Sequence, residues 1–158
     1  MTQIFLASQH ERHAVQDLVQ RTARLLDRED LDGWLALFDS NGEYELTAYS
    51  TELRRNLVWW KSDRAALQKI LAEVTQHVRD PAHRRRVLGP AVIEFTADQA
   101  YAESAFAVYR TTREGATSLY AVGHYEDSLV RASDRWLYRT HRVVLDTRML
   151  EMFTHLPL

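Results

Sequence analysis

Apolar positions fall at two different spacings along the chain, helical in the first half and alternating in the second. Val15, Leu18, Thr22, Leu25 and Leu26 recur three or four residues apart, which gathers them on one helix face. Ser8 followed by Glu11 supplies capping-box chemistry, so the pattern predicts a first amphipathic helix over residues 10–28. A short second helix is expected over residues 30–38, through Trp34-Leu35-Ala36-Leu37-Phe38. Asp39-Ser40-Asn41-Gly42 reads as the turn that ends it before a strand over residues 43–49. Ser62-Asp63 can cap a third helix whose buried stripe is Ala66, Leu67, Ile70, Leu71 and Val74, with Asp80-Pro81 as its stop.

Beyond that point the period drops to two. Residues 84–96, 100–113, 117–131 and 135–147 are rich in Val, Tyr, Phe, Trp and Thr, and Ala97-Asp98, Glu114-Gly115 and Ser133-Asp134 mark turns between them. Helices followed by long strands on short loops predict an α+β fold, with three N-terminal helices on one face of an antiparallel sheet. No repeat or linker divides residues 1–158, so one domain is expected.

Composition narrows the chemistry. The 158 residues are 46% apolar, enough for a real core, and include no cysteine. That excludes disulfides, thiolate nucleophiles, iron–sulfur ligation and Cys-based zinc sites. Twenty basic residues face 22 acidic ones, which argues against nucleic acid as a partner. No segment approaches the ~20 apolar residues of a membrane span and the N-terminus lacks a leader pattern, so a cytoplasmic protein is expected. Lys61 and Lys69 are the lone lysines among the cations. This arginine bias fits protein–protein contact surfaces, and equally a GC-rich coding sequence.

The order of a helix, a short Trp-containing helix, a third helix and a long sheet resembles the cone-shaped fold of nuclear transport factor 2 and ketosteroid isomerase. A narrower likeness lies in His83-Arg84-Arg85-Arg86-Val87-Leu88-Gly89-Pro90, Phe106-Ala107-Val108-Tyr109-Arg110, Val122-Gly123-His124-Tyr125-Glu126-Asp127, Val144-Leu145-Asp146-Thr147 and the tail Leu156-Pro157-Leu158. In order and spacing these resemble the small (beta) subunits of Rieske-type aromatic-ring-hydroxylating oxygenases, most closely those acting on terephthalate, salicylate or anthranilate, with alkylsulfonate monooxygenases similar. The resemblance implies an assembly of three large and three small subunits, the small ones forming a trimer. It places the Rieske [2Fe-2S] cluster and the mononuclear iron in the large subunit and no cofactor in this chain.

Two sets of candidate residues follow. As a scaffold, the chain would make subunit contacts through Trp59, Trp60, Arg84, Arg85, Arg86 and the apolar tail with Met149, Met152, Phe153, Leu156 and Leu158. Trp59 and Trp60 could instead both be buried under the third helix, and the tail could cover the chain's own sheet. As a stand-alone isomerase or dehydratase, it would use a carboxylate or histidine inside the cone, with Asp39, Tyr44, His124 and His141 as candidates and Tyr120 or Tyr125 nearby. Asp39 serves equally as a turn residue, and each histidine as a hydrogen-bonded structural group. Alternation groups His124 with Tyr120, Val122 and Glu126, and His141 with Leu137, Val143 and Leu145. His77 and His83 flank Asp80, but across a proline turn that suits no metal.

Overall fold

The computed structural model describes residues 8–77, 79–151 and 156–158. Helix α1 spans Gln9–Asp27, with the Ser8 hydroxyl accepting from the Glu11 N–H, and buries Val15, Leu18, Val19, Thr22, Ala23 and Leu26. The return bond of the capping box is replaced by a longer reach. The two Glu11 carboxylate oxygens accept from Arg131 at 2.6 Å and from the Trp136 indole at 2.7 Å, pinning the start of the helix to the sheet.

Helix α2, Leu31–Leu35, starts on an Asp30 cap and ends three residues before its expected limit. Phe38-Asp39-Ser40-Asn41-Gly42, expected to close the helix and turn, instead opens strand β1, Phe38–Ser50. The turn-forming residues make a bulge: Phe38 pairs with Tyr138, the register slips, and regular pairing resumes at Glu43 with Thr140. Gly42 permits it, because a Cβ there would lie 2.9 Å from the carbonyl oxygens of both Asp39 and Tyr138.

Strand β2, Arg55–Asp63, returns antiparallel to β1. It carries a bulge of its own. Leu46 faces Trp60 while Thr47 faces Val58, leaving Trp59 as the extra residue, so the two tryptophans point to different sides. Helix α3, Arg64–Glu73, is capped by Asp63 and buries Leu67 and Leu71, with Val74 buried in the 3-10 turn that follows. Ile70, expected in this stripe, lies on the exposed side.

Strands β3 (His83–Leu88) and β4 (Val92–Phe95) replace the single strand expected over residues 84–96, since Gly89-Pro90 breaks the run and Pro90 has no N–H for a ladder. Strands β5 (Gln99–Thr111), β6 (Thr117–Ala132) and β7 (Arg135–Leu145) are long and joined by the expected turns. The sheet order is β2-β1-β7-β6-β5-β3, with β4 also pairing on β5. Every pairing is antiparallel except β1 with β7, which run parallel and bring the first and last strands side by side.

The sheet wraps the helices, so one core lies between its inner face and α1, α2 and α3. Gly123 of β6 faces Leu145 of β7, and a Cβ at Gly123 would collide with the Val144 carbonyl oxygen. Gly123→Ala is therefore expected to lower unfolding free energy by about 2 kcal/mol. Urea denaturation checks this, and an unchanged midpoint would contradict the close approach.

Candidate functional site

Inner-face positions of β6 and β7 carry the group most suggestive of chemistry. Asp127 and His141 stand directly opposite each other across the two strands, and His141 Nδ1 lies 2.6 Å from Asp127 Oδ1. Both side chains are 0% exposed. Burial raises the Asp127 carboxyl above its ordinary range, against the pull of the His141 imidazole and its hydrogen bond. Asp127 Oδ2 and His141 Nε2 have no hydrogen-bond partner among the described residues.

A carboxylate orienting an imidazole is the geometry of a general base, but a base must reach a substrate. His141 is instead walled in by rings: Tyr125 and Tyr138 at 4.9 Å, Tyr44 at 5.9 Å, Phe38 at 6.3 Å and Trp34 at 6.4 Å between centroids. The phenols are held away from proton chemistry too. Desolvation pushes Tyr125 up to about 12 despite the nearby Arg86 guanidinium, and raises Tyr44 and Tyr138 further. The Tyr138 hydroxyl shares a 2.7 Å hydrogen bond with Thr22, which locks α1 onto β7.

The tail seals this interior. Leu156 and Leu158 are buried in the chain's own core, the Leu158 N–H donates to the Tyr44 hydroxyl, and the Pro157 carbonyl accepts from Arg86 at 2.9 Å. Arg86 in turn donates from Nη1 to Asp27 at 2.8 Å, while the Asp27 carboxylate also accepts from the Arg86 backbone N–H. A second clamp repeats the device nearby. The Asp80 carboxylate receives the Arg110 fork at 2.7 and 2.8 Å and Arg84 at 3.3 Å, and the Arg84 guanidinium lies 4.7 Å from the centre of the Tyr120 ring. Hydrogen bonding from Arg110 lowers the Asp80 carboxyl from 3.8 to about 2.

Among the anticipated interior residues, Tyr44 and His141 lie inside and Asp39 and His124 do not. Asp39 pairs with Arg139 at 3.0 Å on the outer side of β1, because the bulge turns it away from the core. His124 faces outward beside Glu126 at 3.2 Å and starts a row of charges that continues through Arg142, Glu45 and Lys61 across four strands. Its grouping with Tyr120 fails because Tyr120 is the extra residue of a bulge opposite Val108 and Tyr109, which keeps the tyrosine buried while His124 points out. Asp127 was missed. Its signal was an acid in register with Tyr125 and Leu129 on an apolar face.

The contact candidates divide as well. Trp59 is 40% exposed, Met149 is 88% exposed, and Arg85 points outward. Trp60 packs on Tyr44 at 5.2 Å and donates to Ser62, so it belongs to the core margin. Arg84 and Arg86, on the face opposite Arg85, are buried clamps within this chain instead of surface contacts, and Leu156 and Leu158 are core residues. Met152 and Phe153 lie outside the described residues. No group of three or more His, Asp or Glu side chains placed to hold a metal ion occurs among the described residues. No helix among them is long and apolar enough to cross a membrane.

Residues 7–142 match the model of the SnoaL-like domain, and the chain belongs to that family, with its cone-shaped fold. Within it, the chain groups with the small, or beta, subunits of ring-hydroxylating oxygenases. It is 30% identical over 146 residues to the 2-aminobenzenesulfonate 2,3-dioxygenase subunit beta of Alcaligenes sp, covering 92% of this chain and 97% of that one. It is 26% identical to the methanesulfonate monooxygenase hydroxylase subunit beta of Methylosulfonomonas methylovora, over 92% and 86% of the two chains. A solved structure from Novosphingobium aromaticivorans, assigned as the beta subunit of an aromatic-ring-hydroxylating dioxygenase, shares the fold with a TM-score of 0.80 at 22% identity, covering 89% of this chain and 92% of that one.

If the dyad is a buried structural link, His141→Phe should strand Asp127 and cost about 3 kcal/mol, while adding Asp127→Leu should restore most of the loss. A double-mutant cycle by urea unfolding checks this, and additive losses would contradict it. The depressed Asp80 carboxyl contributes stability that is fully present above its unfolded value of 3.8 and is lost as pH falls toward about 2. Asp80→Asn should therefore flatten the stability profile between those values, measured by denaturant midpoints at stepped pH.

Proposed function

We propose that this chain is the structural beta subunit of the terminal oxygenase component of a multicomponent Rieske non-haem iron oxygenase that acts on an organic acid. The observation that carries the reading is the sealed interior: the Asp127–His141 pair is shut in by rings and by the chain's own tail, so the surface is left to do the work. End-to-end likeness to a dioxygenase beta subunit supports the same role. The alternative of a stand-alone isomerase loses its support, since Asp39 and His124 lie outside the cone and His141 meets no open space.

In this reading the large subunit holds the [2Fe-2S] cluster and the mononuclear iron, and three large and three small subunits assemble, the small ones as a trimer. The chain's cysteine-free sequence suits that division, because a Rieske centre needs two thiolates. The substrate is an aromatic carboxylate or a sulfonate, the latter being what the named relatives act on. Trp59, Arg85 and Met149 are the contact candidates that remain exposed. Apolar Val58 beside Trp59 and Leu53 in the β1–β2 turn are also exposed, and Val87, Tyr109 and Leu119 lie on the outer face of β3, β5 and β6. Exposed aromatics among arginines are the usual anchors of such interfaces.

Co-expression with a candidate large subunit, followed by native mass measurement and iron analysis of the separated chains, tests the proposal. A complex of equal stoichiometry with all iron in the large subunit is expected. A chain that ignores the large subunit and binds a small aromatic by itself would overturn the reading.

A further inference from the structure

Where the end of α1 meets the loop before β3 and the β5–β6 turn, the surface opens into a cleft of about 680 Å³. Its charge is unbalanced. Five guanidinium groups line it against three carboxylates, those of Asp27, Glu29 and Asp80. All three carboxylates are already committed: Asp27 to Arg86, Glu29 to Arg79 at 2.8 Å, and Asp80 to Arg84 and Arg110. Arg28 and Arg113 are exposed, line the cleft, and have no ion pair or side-chain hydrogen bond among the described residues. The C-terminal end of α1 offsets about half a charge, which leaves a clear positive surplus. Leu26 and Leu156 add apolar surface to the same wall.

We propose that this cleft is an anion-receiving site that takes a carboxylate or sulfonate group on Arg28 and Arg113, with the apolar part of its bearer against Leu26 and Leu156. A guanidinium fork matches both oxyanions, and such charge-assisted bonds are the strong ones. The oxyanion has two possible bearers: a small organic acid, or an acidic side chain of the large subunit. The second bearer rests on the oxygenase reading, while the first does not.

Calorimetric titration of the purified chain with benzenesulfonate, with benzyl alcohol as the neutral control, tests the first bearer. Saturable binding of the sulfonate alone is expected, weakened about tenfold by Arg28→Gln or Arg113→Gln and by added salt. Both side chains are exposed, so the variants should unfold at the wild-type midpoint. If no sulfonate binds, but the double variant associates with the large subunit about tenfold more weakly than wild type, the bearer is the large subunit's acidic side chain. If the chain binds no sulfonate and the double variant assembles as wild type does, the site proposal is overturned. Failure of the wild-type chain to assemble counts against the oxygenase reading alone, and the titration then decides the cleft by itself.

Discussion

Arg86 is the group on which the closed end of the cone depends. Its side chain is 2% exposed, and it ties together three parts of the chain that are far apart in sequence: α1 through Asp27, its own strand β3, and the tail through the Pro157 carbonyl. A guanidinium this deep is tolerable only when its charge is matched, and Asp27 does this at 2.8 Å while also accepting the Arg86 backbone N–H. Because the tail hangs on this link, so does the position of Leu158, whose N–H reaches the Tyr44 hydroxyl at the margin of the aromatic core. Asp80 with Arg84 and Arg110 braces the neighbouring strands in the same way.

That bracing decides what the interior can do. The fold supplies a carboxylate beside an imidazole at a distance suited to catalysis, yet rings occupy the space a substrate would need. The pair then acts as a polar cross-link between β6 and β7, and the chain's interactions move to the outside, where Trp59, Tyr109, Leu119 and the cleft at the end of α1 are open. Exposed aromatics and arginines of this kind are enriched where proteins meet.

Much of the architecture was legible from period alone. The spacing of Val15, Leu18 and Leu26 marked α1, and the alternation in β5, β6 and β7 marked the sheet, because both periods follow from burying one face. Bulges were not legible, and each broke an inference. The bulge at Asp39 to Gly42 turned an apparent turn into a strand, the one at Trp59 hid β2, and the one at Tyr120 separated that tyrosine from the face that His124 shares with Glu126. Pairing across strands was equally invisible. His141 stood out as an inner-face histidine, but its partner Asp127 lies 14 residues away and is brought opposite only by the β6–β7 register. The apolar tail could be read as docking somewhere, whereas its place on Arg86 required the fold.

In the proposed role the interior supports the fold and the large subunit performs the chemistry. Turnover of the reconstituted oxygenase containing the Asp127→Leu, His141→Phe double variant tests it most directly, with assembly confirmed by native mass. Turnover equal to that with the wild-type chain is expected. An intact complex whose turnover collapses would contradict it and make the dyad part of the reaction.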